Sequence, residues 1–218
     1  MSGKTTQPQP DAAIARARLD EIDAEVRRLR GPTPTPSSKP EPLAPEITRA
    51  LLALLAESSV HLVVVHEPDA ARREIADAIA CMPDVVDAAA IARASLLMGE
   101  ALVELDSATH AETLLEVALR FYEKVGDEKL TGRARVALGR ALVLLDRPAG
   151  LDLLQEALDD FLARADVAGV ARIQALFAEI RGGADAAETI RAGYGRSVSM
   201  LPVAPSKPPP PRRSVPPR

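Results

Sequence analysis

LLMGEALVEL, residues 96–105, is matched forty residues later by VALGRALVLL, residues 136–145. Gly99 and Gly139 occupy the same place in the two stretches, and Ser59 lies a further forty residues upstream of Gly99. A small residue recurring inside an apolar run indicates a point where two helices approach closely.

A second pair of stretches keeps almost the same period. LLEVAL at 114–119 matches LLQEAL at 153–158, thirty-nine residues later. Internal repeats of this length are typical of stacked helix pairs, in which each unit buries its apolar face against its neighbours. The sequence therefore predicts an all-α solenoid, a fold whose members mostly bind partners.

Composition agrees with a helical chain. Apolar residues make up 47% of the 218 residues and aromatic residues only 2%, which suits close helix packing better than sheets. A single cysteine, Cys81, excludes an intramolecular disulfide framework. No run of 18 apolar residues occurs, and the polar N-terminus lacks a signal-peptide core, so we expect a cytoplasmic protein without a membrane span. Abundant Ala, Arg and Pro with no Asn is typical of a GC-rich bacterial genome.

The composition changes along the chain and predicts five segments. We expect a disordered start, a short heptad helix, a Pro-rich linker with six prolines, a helical repeat domain, and a basic Pro-rich disordered tail. In the same order, these segments are 1–10, 11–30, 31–45, 46–181 and 182–218. Within the repeat domain, the expected helices are 46–66, 68–81, 84–105, 108–125, 128–145, 148–164 and 167–181.

Charge is spread unevenly between the body and the tail. The net charge is −4, but the thirty residues after Glu188 carry six basic residues and no acid. Residues 1–188 therefore hold 21 basic and 31 acidic residues, a balance of −10. The tail could bind an anionic surface or the acidic body, or it could be a solvated segment without a partner.

The segment 11–30 contains a heptad seam whose spacing alternates between three and four residues. In a parallel dimer each flanking charge would face an opposite charge: Asp11 with Arg16, Arg18 with Asp23, and Glu25 with Arg30. Two interpretations remain open, a helix that packs on its own repeats and a homodimer. The homodimer would form through Leu19, Ile22, Val26 and Leu29.

The segment SSVHLVVVH at 58–66 is the one place where local propensity conflicts with the repeat. Its β-branched residues favour a strand and are similar to the opening strand of a response-regulator receiver. The paired acids that such a receiver needs are replaced by Val65 and His66, and no strand–helix alternation follows. The repeat register predicts a helix.

The repeated positions resemble the tetratricopeptide repeat signature, over about 46–181. The matching residues are Ser59, Leu62, Ala71, Ile75, Ala78 and Pro83 in unit one, Met98, Gly99, Leu102, Ala111, Leu115 and Ala118 in unit two, and Leu138, Gly139, Leu142, Leu154 and Ala157 in unit three. The period of about forty resembles the longer repeat of kinesin light chains and some bacterial regulators. The resemblance implies three helical hairpins and a closing helix, 167–181.

In that family the first helices of the hairpins line a concave groove, which implies a partner-binding surface on this chain. By register, its residues are Val60, Val63, Val64, Arg93, Leu96, Glu100, Val103, Arg133, Val136, Arg140, Val143, Leu144 and Arg172. Such a valine-lined channel suits a peptide or helix with apolar anchors. The carboxylate clamp of chaperone-binding repeats is excluded in its usual form, because the chain has no Asn.

The sequence contains no motif that indicates a catalytic site or a bound cofactor. His61 and His66 are five residues apart, off the spacing of a helical metal pair, and His110 falls in an expected turn. No glycine-rich phosphate loop occurs, and the acidic body does not favour specific nucleic-acid binding. We expect no enzyme, no cofactor and no metal site. Cys81 is interpreted as a buried filler.

The tail contains one docking motif, PxxPxR, formed by Pro208, Pro211 and Arg213. Polyproline II segments of this form bind aromatic-lined grooves.

The function expected from the sequence is a non-enzymatic adaptor that holds a partner peptide or helix in its groove. Two alternatives are a chaperone of a secreted or assembly partner, and a regulatory subunit of an enzyme or filament complex tethered by the basic tail. The chaperone alternative rests on similarity in order to the translocator chaperones of type III secretion.

Overall fold

The computed structural model describes residues 10–31 and 43–182 of the chain. Helices are the regular secondary structure of this described part, which confirms the predicted all-α class. The helices are α1 (Pro10–Arg30), α2 (Pro45–Val64), α3 (Pro68–Cys81), α4 (Ala88–Glu104), α5 (Ala108–Val125), α6 (Glu128–Leu144), α7 (Ala149–Ala163) and α8 (Val167–Gly182), with a 3-10 turn at Met82–Asp84. The chain divides into two compact units, Met1–Val170 and Ala171–Arg218.

The expected helix boundaries hold to within a few residues except at the start of α4. This helix was expected from residue 84 and begins at Ala88, because Met82–Asp84 forms a 3-10 turn. Asp87 then caps α4, where its Oδ1 accepts hydrogen bonds from the backbone N–H groups of Ala89 at 3.0 Å and Ala90 at 3.1 Å. These bonds satisfy two donors that a helix start leaves open.

The β-branched segment at 58–66 is helical as far as Val64. Ser58, Ser59 and Leu62 are buried there, so packing against neighbouring helices outweighs the local strand propensity. The Ser59 hydroxyl donates to the Ala56 carbonyl at 2.8 Å, which satisfies a polar group in the interior.

Three hairpins follow one another along the chain, formed by α2 with α3, α4 with α5, and α6 with α7. Small residues allow the close approach within a hairpin. A Cβ atom on Gly99 would lie 2.5 Å from Leu115 Cγ, and one on Gly139 would lie 2.8 Å from Leu154 Cγ. The repeated glycine–leucine pair is therefore the same packing contact in the second and third hairpins.

The turns inside the hairpins also repeat at the sequence period. His66, Asp106 and Asp146 have the left-handed backbone φ values of 60°, 54° and 55°. The residue after each of them donates its backbone N–H to the carbonyl five residues earlier, as in a Schellman helix end. These bonds are Glu67 to Leu62, Ser107 to Leu102 and Arg147 to Leu142, each 2.9 Å long. The same bond ends α5, from Asp127 to Tyr122, and α7, from Asp166 to Phe161, so this turn closes both helices of the second and third hairpins.

The contacts between hairpins are not uniform. The first and second hairpins meet mainly through α2 and α4, whereas the second and third meet mainly through α5 and α6. The 3-10 turn Met82–Asp84 and the extended Val85 stand between α3 and α4, where the corresponding connection between α5 and α6 is the short turn at Gly126. We attribute the different stacking to this longer connection.

Helix α1 packs on α2, and its heptad seam faces that helix. Ala15, Leu19 and Ile22 are 2%, 8% and 1% exposed, and Val26 is half-buried against the core. Of the two interpretations of the seam, packing on the chain's own helices is the one the structure shows. A homodimer through Leu19, Ile22, Val26 and Leu29 would require α1 to leave α2, and it stays a prediction.

The flanking arginines of α1 also find their carboxylates inside the chain rather than on a second copy of α1. The three ion pairs are Arg16–Glu67 at 2.7 Å, Arg18–Glu57 at 2.7 Å and Arg30–Asp77 at 3.0 Å. The hydrogen bond from Arg18 lowers the pKa of Glu57 below its ordinary value, and the positive charge of Arg18 adds to this effect.

Helix α2 lies against α1, α3 and α4, so it is covered from several sides. This position explains why α2 is apolar around much of its circumference. By length and composition alone, the helix Pro45–Val64 is also apolar enough to cross a membrane.

Pro10 of the predicted start begins α1 and Gly182 of the predicted tail ends α8. The rest of the start and of the tail, most of the Pro-rich linker, and the docking motif of Pro208, Pro211 and Arg213 lie outside the described residues.

Candidate partner-binding surface

The first helices of the three hairpins, α2, α4 and α6, carry nearly all the residues predicted to line a groove. The structure separates these residues into three groups by exposure. Leu96, Val103 and Val136 are buried, at 2%, 3% and 8% exposed. They are core residues and offer no surface to a partner. The predicted register fails at these positions because a shift of one residue turns a side chain by about 100° around the helix.

The second group is half-buried and the third is exposed. Val60, Val63, Glu100, Arg133, Arg140 and Val143 are half-buried. Val64 is 40% exposed and Leu144 is 48% exposed, and Arg93 is also exposed. Arg172, the remaining predicted residue, is exposed on the part of α8 that belongs to the second unit.

The structure brings the predicted charges together in pairs that connect α4 to α6. Arg133 forms a two-pronged ion pair with Glu100, at 2.6 Å from Nε to Oε1 and 2.5 Å from Nη2 to Oε2. Arg140, two helical turns after Arg133 on α6, pairs with Glu104, one turn after Glu100 on α4. The hydrogen bond to Glu100 raises the pKa of Arg133, although partial burial opposes the charge.

These two ion pairs between α4 and α6 change the expected role of the groove charges. A guanidinium that already holds a carboxylate on two of its N–H groups has little to offer a partner's carboxylate. Glu100, Arg133 and Arg140 therefore hold two helices side by side. Among the described residues Arg93 forms no ion pair, so of the predicted groove cations on α4 and α6 it is the one that remains open to an acidic group.

The apolar residues that stay accessible lie at the C-terminal ends of the first helices. Val63 and Val64 end α2, and Val143 and Leu144 end α6. Leu144 also lines a pocket of about 420 Å³ whose other walls come from the turn between α4 and α5 and from the start of α5. Its remaining lining residues are Asp106, Ser107, Ala108, Thr109, His110 and Leu145.

Sequence reasoning missed this pocket, although a signal for it was present. Asp106 and Asp146 stand at the same place in successive repeats, and both adopt the left-handed conformation. The turn at Asp106 and the start of α5 border the same pocket as the end of α6, where the exposed Leu144 supplies an apolar wall.

A second cleft, of about 510 Å³, lies on α5, α6 and α7 and is strongly charged. At its centre, Arg135 donates to Glu123 at 2.9 Å and to Asp160 at 2.6 Å. Burial disfavours the charged form of Arg135, but these carboxylates outweigh it and raise its pKa. Arg164 lies over the Phe161 ring, 5.2 Å from its centroid. This cleft joins three helices through charge and was not predicted from the sequence.

The structure also gives the surroundings of the histidine and cysteine side chains that could bind a metal or act as a nucleophile. Within the described ranges no group of three or more His, Cys, Asp or Glu side chains is arranged to hold a metal ion. The Nε2 atom of His61 lies 3.7 Å from Oε1 of Glu57, and Cys81 is half-buried at the end of α3. Burial raises the pKa of the Cys81 thiol, which lowers its thiolate fraction and hence its reactivity.

Comparisons with family models, with curated proteins and with solved structures find no match to this chain.

Proposed function

We propose that this chain is a non-enzymatic interaction adaptor built as an α-solenoid of the tetratricopeptide kind, with a forty-residue repeat. The observation that carries the proposal is the recurrence of one backbone turn at His66, Asp106 and Asp146. A turn that repeats at constant spacing, with a repeated glycine–leucine contact beside it, supports an array of equivalent units. In such arrays every unit contributes side chains to one extended surface, which mostly serves to bind a partner.

The partner would be a peptide or helix recognised mainly by apolar contacts. Three of the five predicted groove charges, Glu100, Arg133 and Arg140, are held in ion pairs between α4 and α6, so they contribute little to a partner. The accessible apolar residues are Val64 and Leu144, with the half-buried Val63 and Val143 beside them. An acidic group on the partner would meet Arg93. We expect this adaptor in the cytoplasm.

The test compares the full-length wild-type chain with two single variants as baits in native lysate. Leu144→Glu places a charge on the proposed surface, and Leu162→Glu places the same charge on α7, at a leucine that is 58% exposed. Both leucines are exposed, so neither change disturbs the core, and helicity measured by circular dichroism should be unchanged.

The proposal expects Leu144→Glu to lose at least about tenfold of the captured partner and Leu162→Glu to keep wild-type capture. The capture is repeated at two salt concentrations, because binding through the basic tail would weaken steeply with salt whereas apolar recognition would not. Equal capture by all three baits would remove the first-helix surface as the site. Capture that is lost only at high salt would instead favour the tail.

A further inference from the structure

Three of the predicted groove residues on α6 lie in one line along the helix. Residues seven and eleven positions apart on an α-helix point within about 20° of the same direction, because about 3.6 residues make one turn. Arg133, Arg140 and Leu144 have this spacing, and each is half-buried or exposed. They form a stripe about 16 Å long, at a rise of about 1.5 Å per residue.

Helix α4 carries the same stripe forty residues earlier, at Arg93, Glu100 and Glu104. Two of its charges are neutralised from the neighbouring helix, Glu100 by Arg133 and Glu104 by Arg140. Arg93 begins the stripe, is exposed, and forms no ion pair within the described part of the chain. The N-terminal end of this surface therefore presents a positive charge that is open to an acidic group.

Tyr122 on α5 relates Arg93 to the neutralised pair beside it. Burial raises the pKa of the Tyr122 hydroxyl group, and the positive charges of Arg93 and Arg133 oppose that effect. Arg93 comes from α4 and Arg133 from α6, so both helices begin their stripes at the same end of the surface. A carboxylate that approaches this end meets one guanidinium group that is held by Glu100 and one that is not.

The C-terminal end of the same surface is apolar. Leu144 ends α6 and is 48% exposed, and Val64, which ends α2 at the equivalent position, is 40% exposed. Both lie eleven residues beyond the position that Arg93 occupies in its own repeat, so they are about 16 Å from it along the helix axis. The surface thus has a charged end and an apolar end at a fixed separation.

The side chains between these two ends favour a helical partner over an extended one. An extended peptide leaves its backbone N–H and C=O groups to be satisfied by the surface that binds it, whereas a helix satisfies its own. Glu100, Arg133 and Arg140 lie between the two ends and already hold partners of opposite charge. They therefore have few groups to offer a peptide backbone.

Resting on the adaptor function proposed above, we propose that the partner is an amphipathic helix with a carboxylate and a large apolar side chain about eleven residues apart on one face. The carboxylate pairs with Arg93, and the apolar side chain packs on Leu144 and Val64. About eleven residues of helix rise about 16 Å and return to the same face, so the spacing on the partner equals the spacing on α4 and α6.

The test selects helical peptides on the full-length chain. The probe is a display library of peptides of about 20 residues in an Ala- and Gln-rich background, with random residues on one face. A matched library carries Pro at regular intervals, which prevents helix formation. We expect the helical library to yield peptides with an acid and a Leu, Ile, Met or Phe about eleven positions apart, in either chain direction. The Pro library should yield no binder of similar affinity.

Two variants of the chain identify the group that binds the acid. Arg93→Glu reverses the open charge, and Arg73→Glu makes the same change at an exposed arginine of α3. Both side chains are exposed, so circular dichroism should be unchanged. By fluorescence anisotropy, Arg93→Glu should bind an enriched peptide at least about tenfold more weakly, and a Lys in place of the peptide's acid should restore binding to within about threefold. Arg73→Glu should bind the original peptide as the wild type does.

The outcomes separate this inference from the adaptor function on which it rests. Peptides that lose binding to Leu144→Glu but carry no acid at the expected spacing would overturn the two-ended motif and keep the apolar surface. Acidic peptides that bind Arg93→Glu as tightly as the wild type would overturn the role of Arg93. Stronger binding from the Pro library would overturn the helical partner. A selection in which no binder responds to Leu144→Glu would remove the adaptor surface as well.

Discussion

Gly99 on α4 lies against Leu115 on α5 so closely that a Cβ atom on Gly99 would stand 2.5 Å from the leucine Cγ and 2.6 Å from its Cδ2. Leu115 is fully buried, so it has little room to move. The contact is repeated by Gly139 and Leu154 in the next hairpin. The small residue in the repeat is therefore required by the packing of two helices.

We predict that Gly99→Ala destabilises the chain by up to about 2 kcal/mol, because an overpacking cost of about 1–3 kcal/mol exceeds the gain of about 1 kcal/mol in helix propensity. The measurement is chemical denaturation followed by circular dichroism. The control is the same change in a Leu115→Ala background, where space is available and the substitution should become neutral or stabilising. An equal cost in both backgrounds would show that Leu115 is not the cause.

Gly150→Ala should be more costly than Gly99→Ala. A Cβ on Gly150 would lie 2.6 Å from the carbonyl oxygen of Gly139 and 2.7 Å from the backbone nitrogen of Val143. Backbone atoms of a packed helix cannot rotate away as a leucine side chain can. Denaturation of the two variants side by side checks the order, and a smaller loss for Gly150→Ala would contradict it.

Ala165→Gly should stabilise the chain by roughly 0.3–1 kcal/mol. Ala165 has a φ of 54°, a conformation that costs an L-residue about 1–2 kcal/mol and costs glycine nothing, although glycine loses more entropy on folding. Ala76→Gly on the exposed side of α3 is the matched control and should destabilise by about 1 kcal/mol. Thermal or chemical unfolding distinguishes them, and loss of stability in both variants would count against the turn geometry.

The two carboxylates near α1, Glu57 and Glu74, should respond to pH in opposite directions. Hydrogen bonding by Arg18 lowers the pKa of Glu57, so its stabilising contribution is present above the ordinary pKa of a glutamate and is lost as the pH falls through its folded pKa. Glu57→Gln should therefore destabilise the chain at pH 7, and the difference from wild type should disappear in acid.

Burial raises the pKa of Glu74, with the charge of Asp77 as the next cause, so ionised Glu74 opposes folding at neutral pH. Glu74→Gln should stabilise the chain at pH 7 and lose that advantage below the ordinary pKa of a glutamate. The measurement is the free energy of unfolding of the wild type and both variants from pH 7 to pH 3. Parallel curves for the two variants would mean that neither environment is as described.

Much of the architecture follows from the sequence alone. The forty-residue period predicts which residues form helices, and the predicted bounds of α3 and α5 match those observed. It also predicts that Gly99 and Gly139 lie at equivalent close contacts between helices. Even the β-branched segment ending at Val64 is helical, as the register required. These features depend on local periodicity and on the size of single side chains, which are visible in one dimension.

What only the tertiary structure decided is which surface each helix turns to its neighbours. Leu96, Val103 and Val136 looked like groove residues and are buried, and Glu100 and Arg133 looked free and are paired. The arginines of α1 could satisfy a second α1 or the carboxylates of α2 and α3 equally well by charge. A periodic pattern fixes a helix and its apolar stripe, but the choice among compatible partners depends on distances between segments far apart in the chain.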